Sequence, residues 1–173
     1  NTKLCNDQCN ACYEKSFASH KKAINWSVNN DIFPRNIFKQ SEKKCLFNCT
    51  ECAHEFSMSL YNIVDNKWCS YCANKKLCLA INCKICYEKS FASHEKALFW
   101  SENNSAKPME VFKNSHKKYY FKCNVCNHDI FMKLSDINFR ERWCVYCINK
   151  KLCDLNDCDI CFNKSFASCD KAK

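Results

Sequence analysis

Apolar and polar residues alternate over Lys44 to Cys49 and over His54 to Met58, and again over Lys118 to Cys123 and His128 to Met132. Side chains of a strand point to opposite faces in turn, so each pair of runs predicts a short hairpin flanking a Cys-x-x-Cys turn. A second period follows another set of cysteines. Phe17, His20 and Ile24, like Phe91, His94 and Leu98, stand at i, i+3 and i+7, which predicts one face of a short helix turned toward a core. Ser16, Ser90 and Ser165 sit where an N-cap would start that helix. Asn74, Asn127 and Asn149 stand just past cysteine turns, where left-handed backbone is needed and asparagine substitutes for glycine. Asn29-Asn30-Asp31 with Pro34, and Asn103-Asn104-Ser105 with Pro108, read as loops between helix and hairpin. No run reaches the roughly eighteen apolar residues of a membrane span, and the start does not resemble a signal peptide. The expectation is a soluble chain without a membrane partner.

These patterns recur. Cys-Tyr-Glu-Lys-Ser-Phe-Ala-Ser-His runs from Cys12 to His20 and from Cys86 to His94, and a variant ending in cysteine runs from Cys161 to Cys169. The period is 74 or 75 residues. Trp68-Cys69-Ser70-Tyr71-Cys72 likewise matches Trp143-Cys144-Val145-Tyr146-Cys147. Two units, 1–76 and 77–151, and the start of a third, 152–173, are expected. Asn1 to Cys5 matches Asn74 to Cys78 and Asn149 to Cys153, so the chain reads as a piece of a longer array.

Nineteen cysteines in 173 residues exceed what ordinary packing uses. Their count is odd and they fall mostly in Cys-x-x-Cys pairs, which place two thiolates on one ion and suit metal better than disulfides. Thiolates that hold zinc need a reducing compartment, so an intracellular protein is expected. One type of site pairs Cys49 and Cys52 with Cys69 and Cys72, and Cys123 and Cys126 with Cys144 and Cys147, at the spacing of zinc ribbons and treble clefs. The other type is expected at Cys5, Cys9, Cys12 and His20, at Cys78, Cys83, Cys86 and His94, and at Cys153, Cys158, Cys161 and Cys169. The exchange of His for Cys169 in the third copy suggests coordination, because thiolate can replace imidazole on zinc. A buried, hydrogen-bonded histidine is the alternative. Five zinc ions would then use eighteen cysteines with His20 and His94, leaving Cys45 as a small strand residue. On that assignment His54 and His128 are left to packing or to hydrogen bonds behind the ligands.

Four protein ligands per ion leave no coordination position for the water that catalytic zinc requires. The chain also has no glycine, which removes every Gly-rich phosphate cradle. No enzyme is expected. The fold class expected is a small, metal-stabilised α+β array of zinc-ribbon or treble-clef repeats, with short hairpins, short helices and little conventional core.

The sequence Phe-x-Cys-x-x-Cys-x-His, then Trp-Cys-x-Tyr-Cys-x-Asn-Lys-Lys-Leu-Cys, then Cys-x-x-Cys followed by Phe or Tyr and x-Lys-Ser-Phe-Ala-Ser-His, resembles the "probable zinc-ribbon" repeat family of giant DNA viruses. The resemblance covers essentially the whole chain and implies tandem treble-clef-like modules in a host cell or virion. The chain departs from the family at Cys169 and in lacking the glycine that many members place before the histidine.

A formal charge of +9 suggests nucleic acid as partner. The candidate contacts are Lys43, Lys44, Lys75, Lys76, Lys117, Lys118, Lys150 and Lys151, with Tyr119, Tyr120, Arg140 and Arg142; Trp68 and Trp143 stack on bases or belong to the core. Zinc changes that picture. Five ions add ten charges and eighteen thiolates remove eighteen, which brings +9 to about +1. Binding then needs a segregated lysine face and, with three arginines in all, is expected to lack strong base specificity. The other expectation is a structural or protein-binding repeat, such as a virion component.

Overall fold

The computed structural model describes residues 3–5, 8–80, 82–140, 143–155 and 157–169, and it divides into two compact units, Asn1–Lys76 and Leu77–Lys173. It is a small α+β fold of short hairpins, short helices and cysteine-rich clusters.

Unit one begins with α1 (Asn10–Lys15), followed by 3₁₀ turns at Phe17–Ser19, Lys21–Asn25 and Pro34–Asn36. The hairpin β1 (Lys44–Asn48) and β2 (Glu55–Ser59) leads directly into α2 (Leu60–Val64). The strands pair antiparallel with Cys45 opposite Met58 and Phe47 opposite Phe56, so the alternation predicted from sequence directs these four inward. Phe47 is wholly buried, and its ring lies 5.6 Å from Phe17, 5.4 Å from Trp26, 5.9 Å from Phe56 and 5.8 Å from Trp68. A hairpin alone is marginal in water and leaves an unpaired edge. Here the edge of β1 is closed by the preceding loop: Ser27 donates its N–H to the Leu46 carbonyl, and the Asn30 side chain both donates to that carbonyl and accepts from the Leu46 N–H, each at 2.8 Å.

Unit two repeats this plan with α3 (Lys84–Lys89), 3₁₀ turns at Phe91–Ser93, Glu95–Phe99 and Pro108–Glu110, the hairpin β3 (Lys118–Lys122) and β4 (Asp129–Lys133), and α4 (Leu134–Arg140). It then continues into α5 (Asp159–Lys164) and a 3₁₀ turn at Phe166–Ser168. Phe91, Phe121, Ile130, Leu134 and Ile137 form its buried core, against which Trp100 and Trp143 pack. The Asn104 side chain binds both the N–H and the carbonyl of Tyr120, closing β3 as Asn30 closes β1.

The hairpins lie where alternation places them, and Cys45 is a buried residue of β1. Asn74, Asn127 and Asn149 have φ of 53°, 56° and 57°, the left-handed backbone expected past each cysteine turn. The single helix through Phe17, His20 and Ile24 is corrected. The chain makes two 3₁₀ turns separated by extended backbone at His20. At about three residues per turn a residue at i+7 leaves the face of residue i, and accordingly Ile24 is 90% exposed and Leu98 87% exposed. Ser16 and Ser90 are no side-chain caps either; each donates its hydroxyl hydrogen to a tyrosine carbonyl three residues back.

Phe47→Ala should cost about 3–5 kcal/mol in denaturant unfolding of the zinc-loaded protein, whereas Val28→Ala, at a 94% exposed position, should stay within about 0.5 kcal/mol. Ala53 has φ 54° where unit two has Asn127. Left-handed backbone costs an L-residue with a Cβ roughly 1–2 kcal/mol, so Ala53→Asn should raise the unfolding midpoint, and a lowered midpoint would contradict this account of the turn.

Candidate metal centres

Each centre starts from a tight cysteine turn. In unit one the Cys49 N–H donates to the His54 carbonyl and the Ala53 N–H to the Cys49 carbonyl, which folds Cys-x-x-Cys around the hairpin tip. The left-handed residue at 53 then returns the chain into β2. A second turn forms at Cys69 to Lys75, where the Lys75 N–H reaches the Ser70 carbonyl. Unit two builds both turns again, at Cys123 to His128 and at Cys144 to Lys150.

Among the described residues, ligand atoms gather within 4.8 Å of one another in five groups. Within unit one these are Cys49, Cys52, Cys69 and Cys72, and the triad Cys5, Cys9 and Cys12. Within unit two they are Cys123, Cys126, Cys144 and Cys147, then His128 with Cys153, Cys158 and Cys161; Cys78, Cys83 and Cys86 also gather there. The sulfurs of Cys49 and Cys72 lie 3.6 Å apart and those of Cys52 and Cys69 3.5 Å, with 3.7 Å and 3.3 Å for Cys123 to Cys147 and Cys126 to Cys144. A disulfide would hold them at about 2.05 Å. Sulfurs about 2.3 Å from a tetrahedral zinc stand roughly 3.8 Å from one another, which fits this spacing.

The thiol chemistry fits as well. Burial opposes ionisation of Cys49, but the N–H groups of Cys52 and Glu51 together with the thiols of Cys52 and Cys72 bring its pKa down to about 7. Cys123 falls to about 7 against burial through the N–H groups of Cys126 and Val125. Burial drives Cys144 up to about 11, and raises Cys72 and Cys147 further. On its own such a cluster ionises only in part, because packed thiolates repel; a dication removes the conflict for all four. The donor sets therefore fit zinc, and the chain carries multiple zinc sites.

The triads are built on helix starts. Cys9, Cys83 and Cys158 are the N-cap residues of α1, α3 and α5. The backbone N–H groups of Cys5, Cys78 and Cys153 point at the sulfurs of Cys12, Cys86 and Cys161 at 3.5, 3.2 and 3.3 Å. Around the last of these, His128 Nε2 lies 3.3 Å from Cys158 Sγ and 3.4 Å from Cys161 Sγ. The imidazole is buried and stacks on Tyr146 with ring centroids 4.3 Å apart. Its Nδ1 meets no hydrogen-bond partner among the described residues, so the tyrosine fixes the plane of the ring. Lys164 adds a tie, donating to the carbonyls of Tyr146 and Cys147.

This corrects the expected ligand set. His20 does not join Cys5, Cys9 and Cys12, and His94 does not join Cys78, Cys83 and Cys86. Each caps the following 3₁₀ turn: Nδ1 of His20 accepts the Lys22 N–H at 3.2 Å, and Nδ1 of His94 the Lys96 N–H at 3.0 Å. Their rings stack on Phe17 and Phe91. Burial, then neighbouring lysines, lowers the pKa of His20; burial also lowers that of His94, with Glu95 opposing, which suits neutral acceptors. Cys169 is exposed and joins none of the groups among the described residues. His128, expected behind the ligands, is itself a donor. The signal for it was its fixed place two residues past Cys126, shared by His54 after Cys52.

The lysine candidates are exposed. Lys43 pairs with Asp31 at 3.3 Å, while Lys76, Lys118 and Lys151 lie over the rings of Tyr71, Phe131 and Tyr146. Tyr119 packs on Trp100, Tyr120 is exposed, and Trp68 and Trp143 belong to the aromatic cores. Arg142 and the Arg140 side chain lie outside the described residues.

His128→Ala should lower the number of zinc ions retained per chain after desalting, measured by metal analysis. His94→Ala should keep that number and lose about 1 kcal/mol of stability through the missing cap. The reverse pattern would restore His94 as a ligand.

Comparison with known proteins agrees with this chemistry. Residues 22–75 match the family described as "Probable Treble clef zinc finger domain"; that span contains the tetrad of Cys49, Cys52, Cys69 and Cys72 together with His54, but none of the triads. An uncharacterized protein of Acanthamoeba polyphaga mimivirus is 42% identical over 127 residues, which are 70% of this chain and 31% of that protein. The chain thus spans about a third of that relative's length. In its sequence and in its sulfur geometry alike, it is a zinc-finger-like chain with several metal clusters and a relative in a giant virus.

Proposed function

We propose that this is a non-enzymatic zinc repeat module that binds nucleic acid without strong base specificity, inside an infected host cell or in a virion. Tetrads of four protein donors leave zinc no position for a reactive water, which supports a structural role for the metal.

The observation that carries nucleic-acid binding is the outward face of the second hairpin. Tyr120 and Phe131 stand opposite each other with centroids 4.4 Å apart, 42% and 50% exposed. Lys118 and Lys133 are paired across the same face. Like charges directly opposite destabilise a hairpin, and two exposed aromatics add no core. The combination suits a stacked base between lysine-bound phosphates, a sequence-tolerant mode in which every base offers a π-face. The first hairpin has Leu46 and Ser57 at the equivalent positions, so contact concentrates in unit two. A protein partner is the second reading, favoured by the exposed apolar residues Ile24, Val28 and Phe33 of unit one.

Titration of a labelled single-stranded oligonucleotide with zinc-loaded protein, followed by anisotropy, should give binding that weakens with salt. Tyr120→Ala and Phe131→Ala should each weaken it by about 5- to 150-fold, the equivalent of roughly 1–3 kcal/mol per stacked base. Absence of binding at low salt would leave the protein-partner reading.

A further inference from the structure

Cys5, Cys9 and Cys12 gather as a triad, and no fourth donor among the described residues joins them. Yet the triad has the construction of a complete site. Cys9 caps α1, the Cys5 N–H points at Cys12 Sγ, and Arg35 donates to the Cys9 carbonyl at 3.4 Å. Its counterpart in unit two, Cys153, Cys158 and Cys161, is completed by an imidazole two residues past a Cys-x-x-Cys turn. Beneath that imidazole Cys161 is 3% exposed, whereas Cys12, at the equivalent place, is only partly buried. A structural zinc takes four ligands, and three thiolates leave one corner for a neutral nitrogen donor. Neither His54 nor His128 gathers with this triad, and His20 is occupied as a cap.

We infer that Cys5, Cys9 and Cys12 form an intermodular zinc site, which takes its fourth ligand from the histidine of a Cys-x-x-Cys-x-His turn on another module of the same repeat. One zinc then joins two modules. The histidine is placed by its own cysteine tetrad and the triad by α1, so the metal fixes one module to the next without any large apolar interface. This rests on the reading of the clusters as zinc sites, and the experiment separates the two.

Free imidazole is the probe for the missing side chain. The full chain is stripped of zinc and reloaded with Co(II), whose visible bands report the donor set. Imidazole should shift the bands of one cobalt per chain, and the shift should vanish when Cys5, Cys9 and Cys12 are all changed to Ser. His128→Gly should create a second responding cobalt, which validates the probe. A silent wild-type chain beside a responding His128→Gly chain overturns the inference while leaving the zinc sites standing. So does a band shift produced by Asp7→Asn without imidazole, which would place the fourth donor within this chain. A His128→Gly chain that does not respond sinks the zinc reading of that cluster, and this inference with it.

Discussion

The structure depends on sulfur atoms held 3.3 to 3.7 Å apart in clusters where they neither bond nor tolerate one another's charge. Four thiolates at that spacing are tenable only around a cation. The arrangement of the whole chain serves to hold them there. Its strands have five residues and most of its helices five or six, far too short to persist alone. The hairpins and three of the helices are anchored by a cysteine pair at one end: Cys49 and Cys52 at the tip of β1 and β2, Cys123 and Cys126 at the tip of β3 and β4, Cys9 and Cys12 at α1, Cys83 and Cys86 at α3, Cys158 and Cys161 at α5.

Metal and aromatic packing divide the work between them. The metal clusters fix the turns, while Phe47 and Phe121, each wholly buried among two tryptophans and further rings, hold the hairpin to the segment before it. The histidines divide along the same line. His20 and His94 belong to the aromatic side, stacked on phenylalanine and capping a turn, and His128 belongs to the metal side, stacked on a tyrosine that stands between two ligand cysteines.

Much of this was legible in the chain. Alternation located both hairpins within a residue, and Cys-x-x-Cys spacing gave the two tetrads, because both depend on neighbours in sequence. The positive-φ asparagines followed from the need for a left-handed residue in a chain without glycine. The histidine ligand was misassigned for a physical reason. The Cys-to-His interval from Cys12 to His20 is local and tempting, but a 3₁₀ turn directs that ring onto Phe17, whereas the true donor comes from a turn about thirty residues earlier, as with His128 and Cys158. The helices α2 and α4 gave no usable signal, being too short for a helical period, and they form because β2 and β4 deliver them onto the core.

The absence of glycine reaches beyond the turns that asparagine fills. Glycine gives a disordered chain its greatest backbone freedom, and a 173-residue polymer without any samples a narrower range of shapes before it collects its ions. Less disorder is therefore surrendered when order sets in, which in a molecule whose framework is so thin enlarges the share of metal affinity that remains for holding it together.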